Sequence, residues 1–170
     1  FTTVNIPKVR VIGENAFYYC SKLASLTIGD SVTTIGKSAF YNCSSLKELT
    51  IPNSVELIGN GAFCNCNTLN SISMGSGVKS IGESAFDVYS WDITLSLYIN
   101  DLSSWCNIDF GSSSSNPINS GGKLYIEGSS TSDITIPSTV TNIKKYAFYN
   151  CDVINSVTLH SGIKSIEQEA

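Results

Sequence analysis

Six cysteines and a single histidine are the residues of this 170-residue chain whose types could do chemistry. Cys64 and Cys66 make a C-x-C pair, a spacing that holds a metal ion when two further ligands converge. No such ligands accompany them, so no metal site is expected. Cys106 follows Trp105, but a thiol nucleophile needs a base and an orienting group. The one histidine, His160, lies far along the chain. Glu48, Glu56, Asp101, Asp109, Glu127 and Asp133 show no repeated pairing of the kind a two-carboxylate site requires. The stretch DFGSSSSN from Asp109 lacks the alternating carboxylates and closing Glu of a calcium loop. Asn42-Cys43-Ser44 fits a glycosylation acceptor, but its middle residue belongs to an inward position. The residues thus predict no enzyme, no cofactor and no catalytic group.

What positions the cysteines is a repeat. An Ala-Phe pair recurs at Phe17, Phe40, Phe63 and Phe86, each 23 residues after the last, and again at Phe148. Each unit opens at Ile12, Ile35, Ile58, Ile81, Ile143 or Ile166, most often followed by Gly. Three residues beyond each Phe stand Cys20, Cys43, Cys66 and Cys151, with Tyr89 as the exception. An L-x-x-L-x-I run follows, as in Leu46, Leu49 and Ile51, and its last part alternates with the period of a short strand. PNSV or GDSV then makes a turn. In IGxxAFxxC the apolar spacing suits a short helical or 3-10 turn on the opposite side of the coil. A unit of this length cannot bury its apolar face alone, whereas stacked copies close a continuous core, so the fixed period predicts a solenoid. The cysteines then read as a ladder of buried free thiols behaving as small hydrophobes. A Cys43–Cys66 disulfide is the alternative, disfavoured by the torsion that side chains running in parallel can offer.

The pattern I-G-x-x-A-F-x-x-C-x-x-L-x-x-L-x-I-P-x-S-V resembles the leucine-rich repeats of BspA-like surface proteins. The match is close over residues 12–81 and 134–170. The resemblance implies a leucine-rich repeat solenoid: a curved parallel sheet on the concave side, carried on secreted or cell-surface proteins and used to contact other macromolecules. The whole of 1–170 reads as one such domain. Because the chain begins at Phe1 and ends at Ala170 inside a repeat, it is read as a fragment, with any signal, anchor or further domain outside it.

Residues 87–133 break the period. Leu95–Ile99, Lys123–Ile126 and Asp133–Ile136 read as strands, the first and last at ordinary solenoid positions. LYIEGSSTSDITIP predicts a β-hairpin. Asp101 is an N-cap for a short helix over Leu102–Asn107, whose Trp105 would cover the apolar edge of the coil. GSSSSNPINSGG has little reason to order by itself. A similar insert recurs in the BspA-like family, which implies an irregular repeat and not a separate domain.

Only 14% of residues are charged and the net charge is −4. Nucleic acid and anionic membrane surfaces are excluded as partners, since both need a basic stripe. No window is apolar for the length of a membrane span. With the ladder positions removed, Ser25, Thr27, Glu48, Thr50, Ser71, Ser73, Thr135, Ser156, Thr158 and His160 remain to line the concave sheet. Tyr98, Trp105 and Tyr125 are candidate contacts on the insert. Three roles stay open at this point: a protein-binding or adhesion module, a glycan-binding module, and a passive spacer of a larger surface protein. The fragment is expected to be a monomer.

Overall fold

In the computed structural model, which describes residues 1–88, 94–119, 121–130 and 132–170, the chain winds as a parallel-strand solenoid of about 7 turns. Long strands lie along one face: β1 (Thr3–Ile6), β3 (Ser25–Ile28), β5 (Glu48–Thr50), β7 (Ser71–Met74), β9 (Leu95–Ile99), β11 (Gly122–Ile126), β13 (Asp133–Thr135) and β15 (Ser156–Thr158). Two-residue strands return along the next: β2 (Val11–Ile12), β4 (Thr34–Ile35), β6 (Leu57–Ile58), β8 (Ser80–Ile81), β10 (Asp109–Phe110), β14 (Asn142–Ile143) and β16 (Ser165–Ile166). Tyr89, the exception in the cysteine ladder, lies outside the described residues.

The short strands add a second sheet that the sequence reading did not contain. Strands β2, β4, β6, β8 and β10 pair in parallel in that order. Glycine makes this possible: a Cβ at Gly36 would stand 2.7 Å from the amide nitrogen of Glu14, and one at Gly59 2.6 Å from that of Lys37. Coils this close at the Ile-Gly step leave no room for a side chain.

After Ile-Gly come single i→i+3 turns, the 3-10 type of bond, and not a continuous helix. Ala16 N donates to Gly13 O at 3.3 Å and Tyr18 N to Asn15 O at 3.1 Å. The amides between them reach the next coil: Asn15 N to Lys37 O, Phe17 N to Ala39 O and Tyr19 N to Tyr41 O. To alternate in this way the backbone visits the left-handed region twice per coil, at Asn15, Ser38 and Gly61 before the Ala, and at Tyr19, Asn42 and Asn65 before the Cys. Gly and Asn tolerate that conformation best, which accounts for their recurrence there.

Between the faces the rings of Phe17, Phe40, Phe63 and Phe86 stack at centroid separations of 5.1, 5.2 and 5.4 Å. Their planes lie within 8° of parallel. Phe40 and Phe63 are fully buried, together with Leu46, Leu49, Ile51, Ile58 and Ile72.

The insert keeps the solenoid going by irregular means. β9 pairs in parallel with β7, and β11 with β9, so both extend the long sheet. The hairpin is present, but its return arm is β12 (Ser129–Ser130), joined through Glu127 and Gly128, both left-handed. That is the twist a two-residue hairpin turn demands. β13 is therefore not the second arm; it starts a new pairing with β15. Helix α1 (Leu102–Cys106) forms as expected, with Asp101 Oδ1 accepting from Ser103 N at 2.9 Å and Ser104 N at 3.3 Å. GSSSSN is ordered, contrary to expectation, because its partners are remote in sequence. Ser115 Oγ donates to Gly82 O, and Asn116 Nδ2 donates to Tyr146 O. Both residues are completely buried. Lys144 completes the splice, its Nζ 3.0 Å from Asp109 and 3.6 Å from Glu167.

Phe63 has a ring on either face, so the stack cannot collapse to fill a hole there. Phe63→Ala is expected to lower the unfolding free energy by about 3–5 kcal/mol, measured as the shift in urea midpoint at constant m-value.

Candidate functional site

The long face presents two rows of outward side chains whose neighbours are set by strand register. Glu48, Ser71, Ser96 and Lys123 follow one another across β5, β7, β9 and β11. Thr50, Ser73, Tyr98 and Tyr125 make the second row. Thr3 and Ser25 continue the first row on β1 and β3, and Asn5 and Thr27 the second. On β13 and β15 the same places hold Asp133 and Ser156, then Thr135 and Thr158. At about 4.8 Å per strand this is a pavement of hydroxyls. Burial follows the alternation: Leu49, Ile72 and Leu97 lie inside while the side chains of the two rows face out.

Tyr98 and Tyr125 rise from that pavement. Their rings stack at 4.5 Å with planes 15° apart. They sit on strands and not on an insert loop, with Ser73 beside Tyr98 and Ser130 opposite Tyr125.

Two expected contacts are withdrawn. Trp105 is 1% exposed; its Nε1 donates to Ala147 O at 2.8 Å and its ring meets Phe110 edge-on. An indole with its N–H satisfied inside the core has nothing left for a partner. His160 lies just past β15 and is committed to the scaffold. Its Nε2 faces the Pro137 and Val140 carbonyls at 3.1 and 3.0 Å, and its Nδ1 accepts from Gly162 N at 3.0 Å.

The face is not continuous. β3 pairs with β1, and β5 with β7, but β3 and β5 belong to different sheets. Between them opens a groove of about 340 Å³ lined by Ala24, Ser25, Leu26, Lys47, Glu48 and Thr50. Three of the expected residues, Ser25, Glu48 and Thr50, meet there. Leu26 is only partly buried, whereas its equivalents Leu49, Ile72 and Leu97 are at most 2% exposed.

A profile of the "BspA type Leucine rich repeat region (6 copies)" matches residues 1–116 and 120–170. The chain belongs to this family. Among solved structures, the BspA-type chain is similar to a leucine rich cell surface protein from Faecalibacterium prausnitzii A2-165, at 22% identity and a TM-score of 0.57. That match covers 99% of this chain and 55% of the other. A leucine-rich repeat protein from Bacteroides ovatus ATCC 8483 matches at 22% identity and a TM-score of 0.33, over 99% of this chain and 63% of its own. The T. pallidum leucine rich repeat protein matches at 24% and 0.34, over 50% and 64%. The chain thus spans little more than half of the first of these structures. No curated protein matches it. The fold is that of a leucine-rich repeat scaffold, in keeping with a protein-interaction module.

In this BspA-type repeat the cysteines are unpaired. Cys43 Sγ donates to Phe17 O at 3.4 Å and Cys66 Sγ to Phe40 O at 3.3 Å, so each thiol ties its coil to the preceding one. Burial pushes the Cys43, Cys106 and Cys151 thiols up to about 12, and Cys66 is raised too. Among the described residues no group of three His, Cys, Asp or Glu side chains could hold a metal ion. Sequence reasoning missed Ser96, Lys123, Leu26 and Lys47 as surface residues of the site. The first two were legible in the alternation of LSLYI and KLYI but were not aligned with the regular repeats. The last two depend on a gap between coils that no single repeat reveals.

A thiol raised in the folded state keeps its full stabilising contribution below the unfolded thiol pKa and loses it as pH climbs toward the folded value. The unfolding free energy is therefore expected to fall between about pH 9 and about pH 12. Urea titrations across that range check this, and Cys43→Ala should flatten the slope.

Proposed function

We propose that this chain, read as one repeat domain, is part of a bacterial cell-surface protein that binds another protein along its long face. The observation that carries the reading is the Tyr98–Tyr125 stack, standing on rigid strands in the middle of a surface made mostly of small polar side chains. Large aromatic anchors ringed by small polar contacts are how protein interfaces concentrate their energy. Flexible loops need not be ordered when it binds, because the anchors are already placed. Serines on both sides leave the outer faces of the pair open to a partner residue. Because the two rings lie face to face, they form a wall and not the flat platform that a sugar ring would rest on, which favours protein over glycan. The similarity to a leucine rich cell surface protein from Faecalibacterium supports the location. Adhesion to host matrix or to other surface proteins is the biological form this binding takes.

Binding of the purified chain to immobilised matrix and bacterial surface proteins tests the reading. Tyr98→Ser/Tyr125→Ser is expected to weaken a saturable signal by about tenfold or more while the melting temperature stays close to that of the parent. Changing Ser71 and Ser73 to Ala should have little effect. Binding that survives loss of both tyrosines, or no binding to any protein at about 100 μM, would sink it.

A further inference from the structure

Many hydroxyls of this chain are tied to the scaffold. Ser45 Oγ donates to Ser21 O, Thr68 Oγ1 to Ser44 O and Ser156 Oγ to Asp133. Around the tyrosine pair the hydroxyls are different: among the described residues, no such bond engages the side chains of Thr50, Ser73, Tyr98, Tyr125 or Ser130. The backbone beneath them, by contrast, is closed. Tyr98 is paired with Ser73 on one side and Tyr125 on the other, and Tyr125 with Tyr98 and Ser130, so no strand edge is open at the rings. Charge is scarce as well, with Lys123 the one cation in the two outward rows.

Several ways of holding a peptide therefore have nothing to grip here. Adding a strand needs an open edge, an amphipathic helix needs an apolar groove, and a phosphopeptide needs a cluster of arginines. A polyproline II segment needs none of these. Its prolines have no N–H, so its carbonyls stand outward as acceptors without internal partners, and its fixed φ leaves little entropy to lose on binding.

We infer that the tyrosine pair takes a proline-rich polyproline II segment of its protein partner, an inference that rests on the protein-binding reading above. One pyrrolidine ring lies over Ser73 against the outer face of Tyr98, where the small side chain leaves depth beside the ring. The phenol hydroxyls, and that of Thr50 one strand beyond Ser73, donate to guest carbonyls. Proline-rich segments dock on aromatic-lined surfaces in this manner, and tyrosine supplies both an apolar face and a polar tip. The rings need no rearrangement, since each already packs on the other at 4.5 Å.

The probe is acetyl-hexaproline-amide at up to about 10 mM, above the millimolar dissociation constants of weak contacts, followed through the Tyr98 and Tyr125 ring resonances in NMR spectra of the whole chain. A saturable shift at those rings is expected, and acetyl-Gly-Ser-Gly-Ser-Gly-Ser-amide should give none. Tyr98→Phe/Tyr125→Phe keeps both rings and should weaken binding about threefold to tenfold through loss of the hydroxyls. Tyr98→Ser/Tyr125→Ser should abolish it; the phenylalanine pair keeps the test decisive if the serine pair fails to fold. Ser73→Leu fills the space beside Tyr98 and should weaken binding by about tenfold or more, whereas Ser80→Leu on the return face should not. No saturable shift with hexaproline overturns the inference, as does an equal response to the Gly-Ser peptide or to maltohexaose, or peptide binding that survives loss of both tyrosines. Failure of hexaproline to bind a chain that still holds a matrix or surface protein through its tyrosines sinks this inference and leaves the reading above standing. Hexaproline held at Tyr98 by a chain that binds no such protein supports the site and sinks adhesion to matrix and surface proteins instead.

Discussion

Main-chain amides that point along the axis can be satisfied only by the coil above or below, and this requirement governs nearly everything else in the molecule. It holds consecutive coils at the separation of neighbouring strands. At that separation the Ile-Gly step excludes a Cβ, which is why Gly36 and Gly59 stand there. It makes the outer turns alternate between their own carbonyls and the next coil's, which in turn forces left-handed residues at Asn42 and Asn65. Phenylalanine stacking follows from the same spacing: rings on successive coils come to rest just over 5 Å apart because the backbones beneath them are tied.

The insert shows how far the requirement can be bent. Where the Ala-Phe unit is missing, Trp105 enters from a helix and delivers its N–H to Ala147, and Asn116 binds the neighbouring carbonyl of Tyr146. The first replaces a bond that an ordinary coil makes with its backbone, as Phe17 N does with Ala39 O. The β12 return arm then pairs with the end of β11, which a regular coil would otherwise extend. Each departure leaves the buried polar groups partnered, and unpartnered ones are expensive in an interior.

Much of this was legible in the residues because the repeat enforces it many times over. The period, the Phe stack, the thiol ladder, the Asp101 cap and the outward Ser and Thr of the strands all come from local spacing. What could not be read was relational. GSSSSN looks like a linker until Gly82 and Tyr146 are brought to it, and Trp105 looks like a contact until Ala147 covers its nitrogen. The second sheet was hidden because a two-residue strand has no periodicity to detect. Tyr98 and Tyr125 were picked out by type, yet only strand register shows that they touch.

The break between β3 and β5 also has a mechanical meaning. A pull on the two ends of a solenoid loads its coils in series, so the weakest junction, not the average one, sets the force at which the chain begins to lengthen. Between β3 and β5 the long-face bonds are missing while the return sheet and the outer turns hold. Tension there would peel the junction from its open side, bond by bond, instead of shearing many bonds at once. At the other end of the molecule the cross-coil contacts of Lys144 and Trp105 reinforce the splice. Under load the molecule is a stiff rod with two compliant joints, one near its first coils and one where both sheets end ahead of β13.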